Sequence, residues 1–197
     1  MRMKRAVSLV CSLGLLLTMA GCSDAPEASA TVDPYAAPTF EYSGEIPDYY
    51  QYLGNIDYSS DAAALVWEQV DGEDEGVYGI QYRDILDFNG ITSQTEIPVV
   101  LFFYSSYASG SQNLMAGVED LAQTLVGQVL FIAVDGVEAD AISTAYEVGG
   151  YPEFILLADN ARISTFSGFD YEQWSIDDVT AWIEDNGYEP DMSMLLR

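Results

Sequence analysis

Pro98-Val99-Val100-Leu101-Phe102-Phe103-Tyr104-Ser105-Ser106-Tyr107-Ala108-Ser109-Gly110-Ser111 is the stretch that decides the fold. Its first half is a near-continuous apolar run of strand length. A strand needs that pattern when both of its faces are covered, because successive side chains point to opposite sides. Serines and Gly110 then break the run. Beyond them Leu114, Met115, Val118, Leu121, Ala122, Leu125 and Val126 recur at helical spacing on one face. Residues 129–134 form a second apolar run. Strand, long helix and strand together predict a βαβ unit with parallel strands.

Working outward, Ala141, Ile142, Ala145 and Tyr146 mark a further helix. Residues 154–157 and 163–166 flank Asp159-Asn160-Ala161, a hairpin turn signal. Ser175 with Asp178 opens the last helix as a capping box, Ile176, Val179 and Ile183 form its inner face, and Gly187 stops it. Upstream, residues 77–80 read as a short strand and 82–88 as a helical turn or two. Ser60-Asp61 offers an N-cap before a short helix over 62–70, with Ala62, Val66 and Val70 at i, i+4 and i+8. Between 45 and 60, Tyr49, Tyr50, Tyr52 and Tyr58 cluster with Ile46, Leu53 and Ile56. Such a stretch is expected to pack on the domain as an extension; the other reading is an exposed, tyrosine-rich contact surface.

The N-terminus carries the three parts of an export signal: basic Arg2, Lys4 and Arg5, an apolar run over 6–19, and small Ala20 and Gly21. The apolar run is short for a membrane span, which needs about 20 residues. Leu17-Thr18-Met19-Ala20-Gly21-Cys22 resembles a bacterial lipobox, which implies cleavage before Cys22 and its diacylation. Two acyl chains at about 0.8 kcal/mol per buried CH₂ give stable anchoring. The expected organisation is a lipoprotein signal peptide over 1–21, a flexible acidic tether over 22–44, an extension with the short helix over 45–76, and an α/β domain over 77–190. The chain is expected on the extracytoplasmic face of a cell or outer membrane.

Of the two cysteines, Cys11 lies in the signal and Cys22 is assigned to lipid. The mature chain is then left without a thiol for a disulfide, a metal thiolate or a redox couple. It keeps Arg83, Arg162 and Arg197 against 32 carboxylates, a net charge of −29, with no Lys and no His. Such a chain repels phosphates, so nucleic acid is not an expected partner. It suits cations, basic partners or solubility in high salt. Asp71-Gly72-Glu73-Asp74-Glu75-Gly76 begins like a calcium loop, but Tyr82 stands where a bidentate Glu is needed, so a solvated acidic turn is expected. No metal site and no cofactor are expected.

Residues 103–111, Phe-Tyr-Ser-Ser-Tyr-Ala-Ser-Gly-Ser, align without gaps to the thioredoxin stretch F-W-A-x-W-C-G-P-C. Val148-Gly149-Gly150-Tyr151-Pro152 resembles that family's V-x-G/S-x-P, and Gly168 matches the glycine after its last strand. Over about 77–187 the chain therefore resembles the thioredoxin-like superfamily, which implies a βαβ then ββα fold with a central mixed sheet flanked by helices. The resemblance also implies that Pro152 is cis and faces the active-site loop. The two redox cysteines of the family fall at Ala108 and Ser111, its buried proton-relay Asp at Phe102 and a neighbouring Lys at about Phe131. Nucleophile, resolving thiol, relay and Lys are absent together, which implies a domain that does no redox chemistry.

Ser105, Ser106, Ser109 and Ser111 could in principle supply another nucleophile, but Ser triads and Ser–Lys dyads need a His or Lys that the mature chain lacks. A Ser/carboxylate enzyme would have to use Glu153 as base, with Ser111 as the partner to test. Serines that cap the helix are the simpler reading. The expected role is a scaffold or accessory module of an envelope complex. Tyr107, Gly150, Tyr151 and Pro152 would line a shallow groove for a protein or peptide partner, unless the two tyrosines pack together and close it. A cation-binding surface protein is the remaining alternative.

Overall fold

A computed structural model describes residues 47–70, 76–168 and 174–196. The predicted signal, Cys22, the tether and the acidic stretch 71–75 lie outside the described residues. The apolar run at 98–104 holds strand β4 (Val99–Tyr104), and Val99, Val100, Leu101, Phe102 and Phe103 are all buried. Both of its faces are covered, as its composition requires. Val100 and Phe102 face one cluster with Val118, Leu121, Leu125, Val179 and Ile183. Val99, Leu101 and Phe103 face the other, with Tyr50, Leu53, Ile91 and Ile132. Each buried Leu, Ile, Val or Phe contributes about 1.5–3 kcal/mol through removal of apolar surface from water.

Among the described residues, seven strands form one sheet in the order β1-β3-β2-β5-β4-β6-β7. These are β1 (Leu53–Ile56), β2 (Ala62–Gln69), β3 (Tyr78–Ile85), β4, β5 (Leu130–Asp135), β6 (Glu153–Ala158) and β7 (Ala161–Ser167). The helices are α1 (Phe88–Ser93), α2 (Ser109–Gln112), α3 (Met115–Thr124), α4 (Asp140–Ala145) and α5 (Ile176–Asp185), and 3-10 turns stand at Asp48–Tyr52 and Met192–Leu196. β4 and β5 run parallel, joined by α2 and α3, while β6 pairs antiparallel with β4 and with β7. This is the expected βαβ then ββα arrangement on a mixed sheet.

The hairpin turns at Asp159 and Asn160, both in the left-handed region (φ 49° and 60°), which Asn and Asp tolerate and a two-residue turn of this hand requires. The capping box forms at α5, where the Ser175 N–H donates to the Asp178 carboxylate at 2.7 Å. Past its far end Gly187 takes φ 94°, and the Tyr188 N–H returns to the Ile183 carbonyl.

Two expectations are overturned. Residues 62–70 are not a helix: Ala62–Gln69 is strand β2, paired on one side with β3 and on the other with β5. A spacing of i, i+4, i+8 is also an even spacing, so Ala62, Val66 and Val70 share a strand face as readily as a helix face. Ala63 to Val66 are all buried because β2 is an interior strand. Residues 82–88 are not a helical turn either. β3 runs on through Ile85, and the helix starts later, at Phe88, where the Asp87 carboxylate accepts from the Gly90 N–H at 2.9 Å.

Residues 47–58 pack on the domain. Tyr50 and Leu53 are buried, while Tyr58 stays largely exposed, with its ring against Tyr82. A buried ion pair ties this segment down. Arg83 Nε donates to the two Glu68 carboxylate oxygens at 2.8 and 3.0 Å, and a terminal guanidinium N–H donates to the Gly54 carbonyl at 3.0 Å. The Tyr50 hydroxyl donates to the same carboxylate at 3.2 Å.

In a chain this poor in cations, tyrosine hydroxyls answer carboxylates. Tyr82 donates to Glu119 at 2.6 Å much as Tyr50 does to Glu68. Burial first, then these carboxylates, push both phenols well above their ordinary range. Both therefore hold their protons to higher pH folded than unfolded. Their contribution is complete below a pH of about 10, the ordinary phenol value, and is lost as the pH rises beyond it. The urea midpoint is expected to fall above that pH, and to fall less steeply in the Tyr50→Phe/Tyr82→Phe variant. An identical alkaline decline in wild type and variant would refute the assignment.

Candidate functional site

Three loops meet at one end of the sheet. The first follows β4, the second is the β5–α4 turn, and the third leads into β6. The parallel register that pairs Tyr104 with Asp135 brings the first two together, and the Gly136 N–H donates to the Tyr104 carbonyl at 2.8 Å. The antiparallel pairing of Phe103 with Glu153 sets the third beside them. The Tyr151–Pro152 peptide is cis and Pro152 is buried.

Asp135, buried at the end of β5, organises the turn. Its carboxylate accepts from the Val137 N–H at 3.1 Å and from the Ser106 N–H at 3.3 Å, so one side chain fixes two loops. Its charge and that of Asp61 act with burial, the largest effect, to raise the Tyr104 phenol. Gly136 is the other fixed point of the turn. A Cβ there would stand 2.1 Å from the Tyr151 ring, so only glycine lets that ring lie against the backbone. The Tyr151 hydroxyl donates to the Gly136 carbonyl at 2.6 Å, and Ser143 Oγ donates to the same oxygen at 2.9 Å.

Tyr107 is different. Its ring is 76% exposed and its hydroxyl donates to Glu138 at 2.6 Å. That bond and the Glu138 charge raise its phenol. The hydroxyls of Tyr107 and Tyr151 thus bind the β5–α4 turn at separate acceptors, Glu138 and Gly136. Ala108, Ser109 and Gly110 are exposed at the start of α2, and Ser111 is 2% exposed beneath them. Glu153 is buried and accepts from the Gly149 N–H at 3.2 Å. Phe102 and Phe131 are both fully buried and share one cluster.

Tyr107, Tyr151, Gly150 and Pro152 are the residues that the sequence points to here, whereas Asp135, Gly136, Glu138 and Ser143 join them only through the fold. The signal for two of them was present: an Asp-Gly pair ends the apolar run of β5, which is turn chemistry. Among the described residues no group of three or more His, Cys, Asp or Glu is placed to hold a metal ion, and no helix is long and apolar enough to cross a membrane.

Residues 82–181, half of the chain, match the thioredoxin family. The chain belongs to the thioredoxin family. Relatives with curated descriptions include Thioredoxin-1 of Drosophila yakuba, 26% identical over 89 residues, covering 45% of this chain and 83% of that protein. Thioredoxin-1 of Drosophila melanogaster is 25% identical over 72 residues, covering 36% of this chain and 67% of that one. Among solved structures, a mutant thioredoxin from Halobacterium salinarum aligns at 28% identity with a TM-score of 0.41, covering 49% of this chain and 80% of that one. Mitochondrial thioredoxin 3 from Saccharomyces cerevisiae aligns at 22% with a TM-score of 0.43, covering 50% and 86%. The family match begins at Tyr82, inside β3, so in this thioredoxin-family chain β1 and β2 are added before the matched segment.

Proposed function

We propose that this chain is a lipid-anchored, extracytoplasmic thioredoxin-like module that binds a protein or peptide partner and performs no thiol chemistry, as a scaffold or accessory subunit at the cell envelope. The observation that carries the reading is the cysteine inventory. Cys11 and Cys22 are the two cysteines of the sequence, and both precede the family segment by far. A thiolate is the nucleophile of disulfide exchange, and neither Ala108 nor Ser111 can supply one.

Two further features support binding over a replacement chemistry. Ser111 sits beneath the exposed residues 108–110, out of a substrate's reach, and Phe102 and Phe131 fill the interior with apolar contacts. Meanwhile the surface end of the same loops offers the open ring of Tyr107, a residue type suited to contact surfaces. The lipobox at 17–22 supports the anchored location.

The test uses the native chain purified from membranes. Insulin reduction is expected at the blank rate, and Cys22→Ser is expected to move the protein from the membrane to the soluble fraction. Turnover above the blank, or a Cys22→Ser protein that stays with the membrane, would overturn the reading.

A further inference from the structure

The surface formed by the three loops carries a charge pattern that selects its partner. Tyr107 presents an open ring whose hydroxyl is already committed to Glu138. The ring is therefore held in place over the β5–α4 turn. A tethered aromatic face beside a carboxylate is the arrangement that receives an ammonium or guanidinium group: the ring quadrupole attracts the cation and the carboxylate pairs with it. Exposed Asp140, at the start of α4, and exposed Glu147, past its end, add the same sign, with Asp135 buried below.

The described arginines do not answer these charges. Arg83 is held by Glu68 and the Gly54 carbonyl, and Arg162 donates to the Tyr146 carbonyl. A second copy of a chain with net charge −26 is repelled, and the chain's own segment 23–44, with Asp24, Glu27, Asp33 and Glu41 and no cation, has nothing to pair with these carboxylates. An acidic partner is excluded for the same reason.

We infer that the partner docked on this surface is a cationic extended peptide segment, whose Lys or Arg side chain lies across the ring of Tyr107 and pairs with Glu138. This rests on the docking role proposed above. It adds the chemical class of the partner and the two side chains that read it.

The test is fluorescence anisotropy on the full chain with labelled extended peptides that differ only at their centre: Lys-Phe-Lys, Gln-Phe-Gln or Glu-Phe-Glu. The Lys probe is expected to bind best and the Glu probe worst. Tyr107→Ala and Glu138→Gln are each expected to weaken the Lys probe about three- to fivefold, the scale of an exposed cation–π contact or ion pair. Glu184→Gln, on the exposed side of α5, tests for diffuse attraction to an acidic surface and is expected to change nothing measurable. If Glu184→Gln weakens the Lys probe as much as Glu138→Gln, the site assignment falls. If the Gln probe binds as tightly as the Lys probe and is lost in Tyr107→Ala, docking stands and the cation preference falls. If no probe binds, both fall.

Discussion

Arg83→Ala is expected to lower the unfolding free energy by about 3–5 kcal/mol, because it leaves the Glu68 carboxylate buried without its cation. Both side chains are nearly enclosed, 12% and 5% exposed. The loss goes further than one pair. Arg83 also holds the Gly54 carbonyl in β1, so the variant frees the segment that packs Tyr50 and Leu53. Urea unfolding of the two proteins measures the effect as a displaced midpoint with little change in slope. Arg83→Met/Glu68→Leu separates the charge from the packing. Removing both charged groups is expected to restore most of the stability that the single substitution loses. A single variant within about 1 kcal/mol of wild type would show that solvent reaches Glu68 and that the pair is a surface one.

Phe102→Asp is expected to leave no stable folded protein. Phe102 is fully buried and stacks on Phe154 at 4.7 Å and on Tyr104 at 5.6 Å between ring centroids. Truncation to Ala alone costs about 3–5 kcal/mol at such a site. A carboxyl adds the cost of burying a polar group among apolar neighbours, of which Phe131 is one. Phe102→Leu keeps the site apolar and is expected to fold with a fraction of that loss. The contrast matters because the family resemblance gives position 102 to a relay Asp and position 131 to a Lys. With aromatic rings in both places the interior no longer accepts the charge. A Phe102→Asp protein that folds with a stability near that of Phe102→Leu, by thermal and urea unfolding, would contradict that account.

How much of this was legible in the sequence follows from the range of the interactions involved. β4, α3, β5, the Asp159-Asn160 turn and the Ser175–Asp178 box are set by neighbours within a turn or a strand's length, and their patterns predict them. β2 and the extent of β3 are not. Ala62, Val66 and Val70 satisfy both periods, and what makes 62–69 a strand is pairing with Ala133, Ile132 and Phe131 on one side and with residues 78–84 on the other. The same holds for the site. Tyr107 and Tyr151 could be named through the stretches 103–111 and 148–152, which resemble thioredoxin-family motifs. Asp135, Gly136 and Glu138 join them only through the parallel register of β4 and β5, which no local pattern encodes. The Arg83–Glu68 pair likewise depends on the β2–β3 register that pairs Ala64 with Arg83.

The proposed docking role places a binding surface at the loop end of this thioredoxin-family domain, where Ala108 and Ser111 stand in place of thiols. It is tested most directly by titrating the Lys-Phe-Lys probe into the isotope-labelled full chain and following backbone amide shifts. Saturable shifts concentrated in residues 105–111, 136–139 and 148–151 are expected, with the midpoint displaced to about three- to fivefold higher peptide concentration in Tyr107→Ala. Shifts spread evenly over the acidic surface, or centred elsewhere on the domain, would contradict it.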